Sequence, residues 1–169
     1  MMPIPDLTER GYLPQGRYLC TLDEVRKQFG WNEHRIQLLR DLKSYLIVWE
    51  QVLPLSRLWI GGSFLTQKEK PGDIDVTAIV REKYVSTEEE QRFLSNMLSL
   101  PGPRFKKATG LSIDQYPFVW SEYSDVPTEE SHVNYVRSRG YWDDWWGRER
   151  STGAEQVRGY LEVILDENE

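Results

Sequence analysis

The chain has 169 residues and a net charge of -6, from 21 Lys/Arg against 27 Asp/Glu, which at ~100–200 residues per domain points to one domain. Its 28% charged and 39% apolar residues fit a globular chain and exclude a disordered one. The single cysteine, Cys20, excludes an intrachain disulfide framework and a multi-cysteine zinc ribbon.

Residues 1–20 are rich in Pro and Gly and read as an extended arm, with residues 21–169 as the single domain. Thr21, with Glu24 three residues on, has the capping-box spacing and starts a short helix that runs to about Phe29 and stops at Gly30. Asn32 caps the next helix, whose apolar stripe is Ile36, Leu39, Leu42, Leu46 and Trp49, ending before Pro54. Leu58, Trp59 and Ile60 form a short buried strand closed by Gly61 and Gly62, and Asp73 to Val80 a second strand. Thr87 and Glu90 cap a helix to Leu100, with Phe93, Leu94, Met97 and Leu98 on one face; Pro101, Gly102 and Pro103 break it. Leu111 to Trp120 holds a third strand, or two split at Pro117. A helix over Ser131 to about Trp145 and a closing strand from Arg158 to Leu165 complete a mixed α/β (α+β) domain.

No apolar run approaches the ~20 residues that span a bilayer, and Met1 to Arg10 lacks the pattern of a signal peptide, so a cytoplasmic protein without membrane contact is expected. Charge is unevenly spread: residues 1–121 carry 16 Lys/Arg against 15 Asp/Glu, residues 122–169 carry 5 against 12. The balance weighs against a duplex-DNA binder, which needs a positive excess, and leaves the front of the molecule able to meet a nucleotide or an RNA end. The acidic tail reads as a solvated surface.

The chemistry concentrates between Leu58 and Val80. Residues two apart on a strand share a face, so Asp73 and Asp75 point one way while Ile74, Val76, Ala78 and Val80 point the other. Adjacent carboxylates repel unless a cation lies between them, and magnesium prefers such oxygens. Upstream, the glycines of Ile60-Gly61-Gly62-Ser63 let backbone N–H groups approach a phosphate, and Ser63 adds a hydroxyl. Asp114, inside an apolar stretch, is the candidate third carboxylate; an edge-strand or turn acid is the competing reading. Three convergent carboxylates suit a two-metal site.

Gly62 and Ser63, followed after nine residues by Asp73, Ile74, Asp75 and Val76, then by Asp114 on a later strand, resemble the signature of the DNA polymerase β-like nucleotidyltransferase superfamily. The small minimal nucleotidyltransferases of bacteria and phages are closest in style. Gly11 to Gly16, Phe29-Gly30 and Trp145 to Arg148 also resemble a bacterial and phage family of nucleotidyltransferase-like proteins. The motif covers Trp59 to Asp114. The resemblance implies the polymerase β-like fold, a mixed sheet with flanking helices. It implies that Gly62 and Ser63 contact a nucleoside triphosphate, that Asp73 and Asp75 bind Mg2+ or Mn2+, and that Asp114 binds the catalytic metal and helps deprotonate an acceptor hydroxyl. Gly72 stands where the commonest form has Ser or Thr, which removes a hydroxyl contact but no metal ligand.

The activity implied is transfer of a nucleoside monophosphate to a protein side chain, an RNA end or a small molecule, in a toxin–antitoxin or phage-defence setting. The alternative is a silent, antitoxin-like binding module of the same fold. A third idea has the acidic tail mimic nucleic acid. Around the motif, Lys68 and Lys70 read as a mobile charged loop or phosphate contacts, and Arg104, Lys106 and Lys107 as a solvated basic loop or steering charges. His34 and His132 have no metal-site spacing. Tyr141, Trp142, Trp145 and Trp146 read as helix core, with a base-stacking platform as the other possibility.

Overall fold

A computed structural model describes residues 4–123, 126, 128–149 and 155–166. Among these, the elements run β1 (Gly16–Cys20), α1 (Leu22–Phe29), α2 (Glu33–Glu50), β2 (Arg57–Gly61), β3 (Ile74–Arg81), α3 (Glu88–Leu98), α4 (Pro103–Thr109), β4 (Ile113–Gln115), β5 (Phe118–Trp120), α5 (Glu130–Gly147) and β6 (Gly159–Ile164). Residues 1–3 of the arm and 124, 125, 127, 150–154 and 167–169 of the acidic tail lie outside the described residues. No helix among the described residues is long and apolar enough to cross a membrane.

The strands form one mixed sheet in the order β1-β6-β2-β3-β4, with β5 also on β3. β2 pairs antiparallel with both β3 and β6, whereas β1–β6, β3–β4 and β3–β5 are parallel. Alternation divides the sheet into two faces. One presents Leu58, Ile60, Ile74, Val76, Ala78, Leu161 and Val163, all at most 2% exposed. This core also holds Val25 and Phe29 of α1, Leu42 and Trp49 of α2, and Met97 of α3. The other face carries Trp59, Thr77 and Phe118 and is covered by α5 through Tyr135 and Trp146. The architecture is thus α+β, with helices on both faces of a mixed sheet.

Local signals set the helix starts. Thr21–Glu24 and Thr87–Glu90 form reciprocal capping boxes, and Asn32 accepts from the Arg35 N–H; such caps are worth about 1 kcal/mol each. Three features differ from the sequence expectation. Residues 16–20 of the N-terminal stretch form an edge strand on β6. The buried stripe of α2 is Arg35, Leu38, Leu42, Tyr45, Leu46 and Trp49, while Ile36 and Leu39 of the expected stripe are only partly buried. The basic stretch after Pro103 is α4, not a loop: Gly102 takes a φ of 56° and Pro103 supplies the first-turn proline.

Candidate active site

β2 delivers its last residue, Gly61, opposite Asp75 of β3. Gly61 has no side chain because the Trp146 indole occupies that space: a β-carbon would lie 2.6 Å from Trp146 Cε3. Trp146 is fixed there by its Nε1–H, which donates to Thr77 Oγ1 at 2.8 Å. The chain then turns through a 3-10 helix, Gly62–Leu65. Gly62 has a φ of 73°, and a β-carbon there would fall 1.8 Å from Asp75 Oδ2. The left-handed backbone favours glycine, and a methyl group there would force the Asp75 carboxylate to move. The Thr66 N–H and hydroxyl donate to the Ser63 carbonyl at 3.2 and 2.8 Å and close the turn.

Asp73, Asp75 and Asp114 converge, the arrangement expected if the strand of Asp114 pairs beside that of Asp75. Asp75 and Asp114 are register partners on β3 and β4, and Asp73 immediately precedes β3. Each of the three offers a carboxylate oxygen within 4.8 Å of the others, and all are half-buried. Asp114 faces its partner because Ile113 and Gln115 point into the core. Gln115 Oε1 accepts from the Tyr45 hydroxyl at 3.0 Å, and its amide donates to the Met97 carbonyl at 2.9 Å. Lys106 of α4 brings a cation: Nζ donates to the Gly72 carbonyl at 2.9 Å and lies 3.3 Å from Asp73 Oδ2. Three carboxylates of this kind could hold a hard divalent cation, and the absence of a side chain at Gly62 leaves room for the Asp75 carboxylate where it lies.

The loop from Thr66 to Gly72 is held by the start of α2. Arg35 is fully buried and donates from Nη1 to the Phe29 and Phe64 carbonyls at 3.1 and 2.8 Å. Its Nη2 donates to the Thr66 and Lys68 carbonyls at 2.9 and 2.7 Å. Burial lowers its pKa to about 10, and the Trp31 ring lies 3.6 Å from its Cζ. The Asn32 amide donates to the Glu69 carbonyl at 2.9 Å, and His34 Nε2 lies 2.6 Å from the Pro71 carbonyl. The spacer read as a mobile charged loop is thus tied down along its backbone, and His34 has a structural role. Sequence reading missed Arg35; its register with Leu38, Leu42 and Trp49 was the signal available.

The three carboxylates line a cleft of about 660 Å³ whose wall includes Gly62, Ser63, Lys68, Tyr116, Trp145 and Arg148. Arg148 pairs with Asp144 one turn earlier, at 2.5 and 2.8 Å. Of the basic residues flagged in sequence, Lys68 lines the cleft and Lys106 reaches Asp73, while Lys70, Arg104 and Lys107 are exposed outside it. A second cleft of about 640 Å³, lined by Arg17, Arg139, Asp143 and Tyr160, lacks the carboxylate cluster.

A family model described as a family of unknown function (DUF6932) matches residues 5–164. No curated protein and no solved structure matches the chain.

Proposed function

The chain belongs to the DUF6932 family, whose description states no activity, and we propose from its site that it is a metal-dependent nucleotidyltransferase. The observation that carries this reading is the convergence of Asp73, Asp75 and Asp114 beside a glycine turn that packs against one of them. Magnesium held by the three carboxylates would supply charge neutralisation for a triphosphate and acidify an acceptor hydroxyl. Gly62 and Ser63 at the start of the turn hold phosphate oxygens through N–H and hydroxyl donors. Asp114 takes the proton of the acceptor hydroxyl. The acceptor oxygen bonds to the α-phosphorus, the bond from that phosphorus to the α,β-bridging oxygen breaks, and pyrophosphate leaves with its electron pair. Lys68 lines the same cleft and offers the departing anion a cation. The chain's contribution is orientation and charge placement, which supply most of the rate in phosphoryl transfer generally.

The reading is tested with four α-32P-labelled nucleoside triphosphates, magnesium and a cell lysate as acceptor pool, for wild type and for Asp73→Asn/Asp75→Asn. Label in RNA, protein or a small molecule with wild type alone supports it and sorts the acceptor. Absence of label, together with absence of magnesium-dependent nucleotide binding, overturns it.

A further inference from the structure

Trp145 stands apart from the other aromatics of α5. Trp146 is 2% exposed against Gly61 and Thr77, and Trp142 packs on Tyr116 with centroids 4.5 Å apart. Trp145, on the wall of the carboxylate cleft, is 41% exposed. Tyr141, one turn earlier and 57% exposed, lies parallel to it, at 8° between planes and 6.1 Å between centroids. A parallel pair of exposed rings adds little to the core, yet the helix turn that carries it is anchored. The next residue, Trp146, is locked to β3 by its indole N–H, and the Arg148 side chain is clamped to Asp144. A large exposed aromatic that is both oriented and set beside a polar, carboxylate-bearing cleft has the chemistry of a stacking surface for a planar ring.

We propose that Trp145, backed by Tyr141, is the stacking subsite for a nucleobase bound in the Asp73–Asp75–Asp114 cleft. This rests on the nucleotidyltransferase reading and deepens it: phosphates lie at the Gly62 turn, and the base lies on the α5 side of the cleft. Stacking on an indole face tolerates any base, so the subsite selects for a base without choosing among them. The base belongs either to the triphosphate or to the end of a single-stranded RNA acceptor, and the two sources separate experimentally.

The test measures binding by calorimetry in magnesium for wild type, Trp145→Ala and Trp145→Phe. The ligands are the α,β-methylene analogues of the four nucleoside triphosphates, inorganic tripolyphosphate and a short single-stranded RNA. Circular dichroism checks that the exposed substitutions leave the fold intact. The expected result is analogue affinity lower by on the order of tenfold in Trp145→Ala, largely recovered in Trp145→Phe, with tripolyphosphate binding unchanged. Loss confined to the RNA supports the subsite and assigns it to the acceptor base. Equal affinity of wild type and Trp145→Ala for analogues and RNA overturns the subsite while leaving the cleft reading intact. Equal weakening of tripolyphosphate and analogues also overturns it, since the ring would then act on the phosphates or the fold. A wild type that binds none of the ligands overturns the cleft reading itself, and the subsite with it.

Discussion

Asp75 and Asp114 sit directly across from one another on parallel strands β3 and β4, an arrangement that like charges disfavour unless a cation joins them. Magnesium should therefore raise the melting temperature of wild type, by the equivalent of about 2.7 kcal/mol at a hundredfold excess over Kd. Asp75→Asn should melt higher than wild type in EDTA and show no magnesium response. Thermal unfolding of both proteins with and without magnesium checks this, and a magnesium shift in the variant would count against Asp75 as a ligand.

Gly62→Ala should abolish transfer at modest cost to the fold. The new methyl group displaces the Asp75 carboxylate, and alanine at a φ of 73° adds strain of about 1–3 kcal/mol. A labelled-transfer assay beside thermal unfolding separates the two effects. An active Gly62→Ala protein would show that Asp75 can work from another position.

Lys106 would compete with a metal bound at Asp73, since its ammonium lies 3.3 Å from Oδ2 and is partly exposed. Lys106→Gln should tighten magnesium binding by about 2–5-fold, the scale of an exposed pair of about 0.5–1 kcal/mol. Calorimetric titration of the metal alone reads this directly; weaker binding would mean that Lys106 organises the site by holding Gly72.

Arg35→Lys keeps the charge and loses the planar fork that serves four carbonyl groups. Each buried carbonyl left without a donor costs about 1–3 kcal/mol. Hydrogen exchange should accelerate across residues 64–72 more than in β3. Uniform acceleration over the whole chain would point to global destabilisation and not to release of the loop.

The Asp166 carboxylate gives acid stability a definite sign. Burial alone would raise its pKa, but the Ser56 hydroxyl and the Arg57 and Arg81 guanidiniums outweigh burial and hold it below the ordinary carboxylate value. Arg57 contacts Oδ1, and Arg81 Nε lies 2.8 Å from Oδ2. A group whose folded pKa lies below its unfolded value of about 3.9 stabilises the fold above that pH and loses its contribution as pH falls through the folded value. Asp166→Asn should cost about 3–5 kcal/mol at pH 7 and show a shallower loss of stability below pH 4. Urea titrations of both proteins between pH 2 and 7 measure the difference; parallel pH curves would remove Asp166 from the acid response.

What was legible in the sequence followed distance along the chain. The capping boxes at Thr21 and Thr87 involve neighbours three residues apart, so local pattern sufficed. The common direction of Asp73 and Asp75 followed from strand alternation. The meeting of Asp114 with them depended on parallel pairing of β3 with β4, about 40 residues apart, and alternation alone could propose it but not fix its register. Arg35 was hidden because a buried cation among leucines reads as surface until its four carbonyl partners, three of them about 30 residues away, are in place. α4 was hidden because Pro101 to Pro103 marks an end and a start at once. The strand at Gly16–Cys20 needed β6, which lies about 140 residues away.

That last pairing bears on how the protein is made. β6 inserts between β1 and β2, so a ribosome that has delivered residues 1–147 has exported two strand edges with no neighbour between them. Open edges invite pairing with other chains. The sheet that carries the carboxylates becomes continuous from β1 to β4 only once β6 is in place.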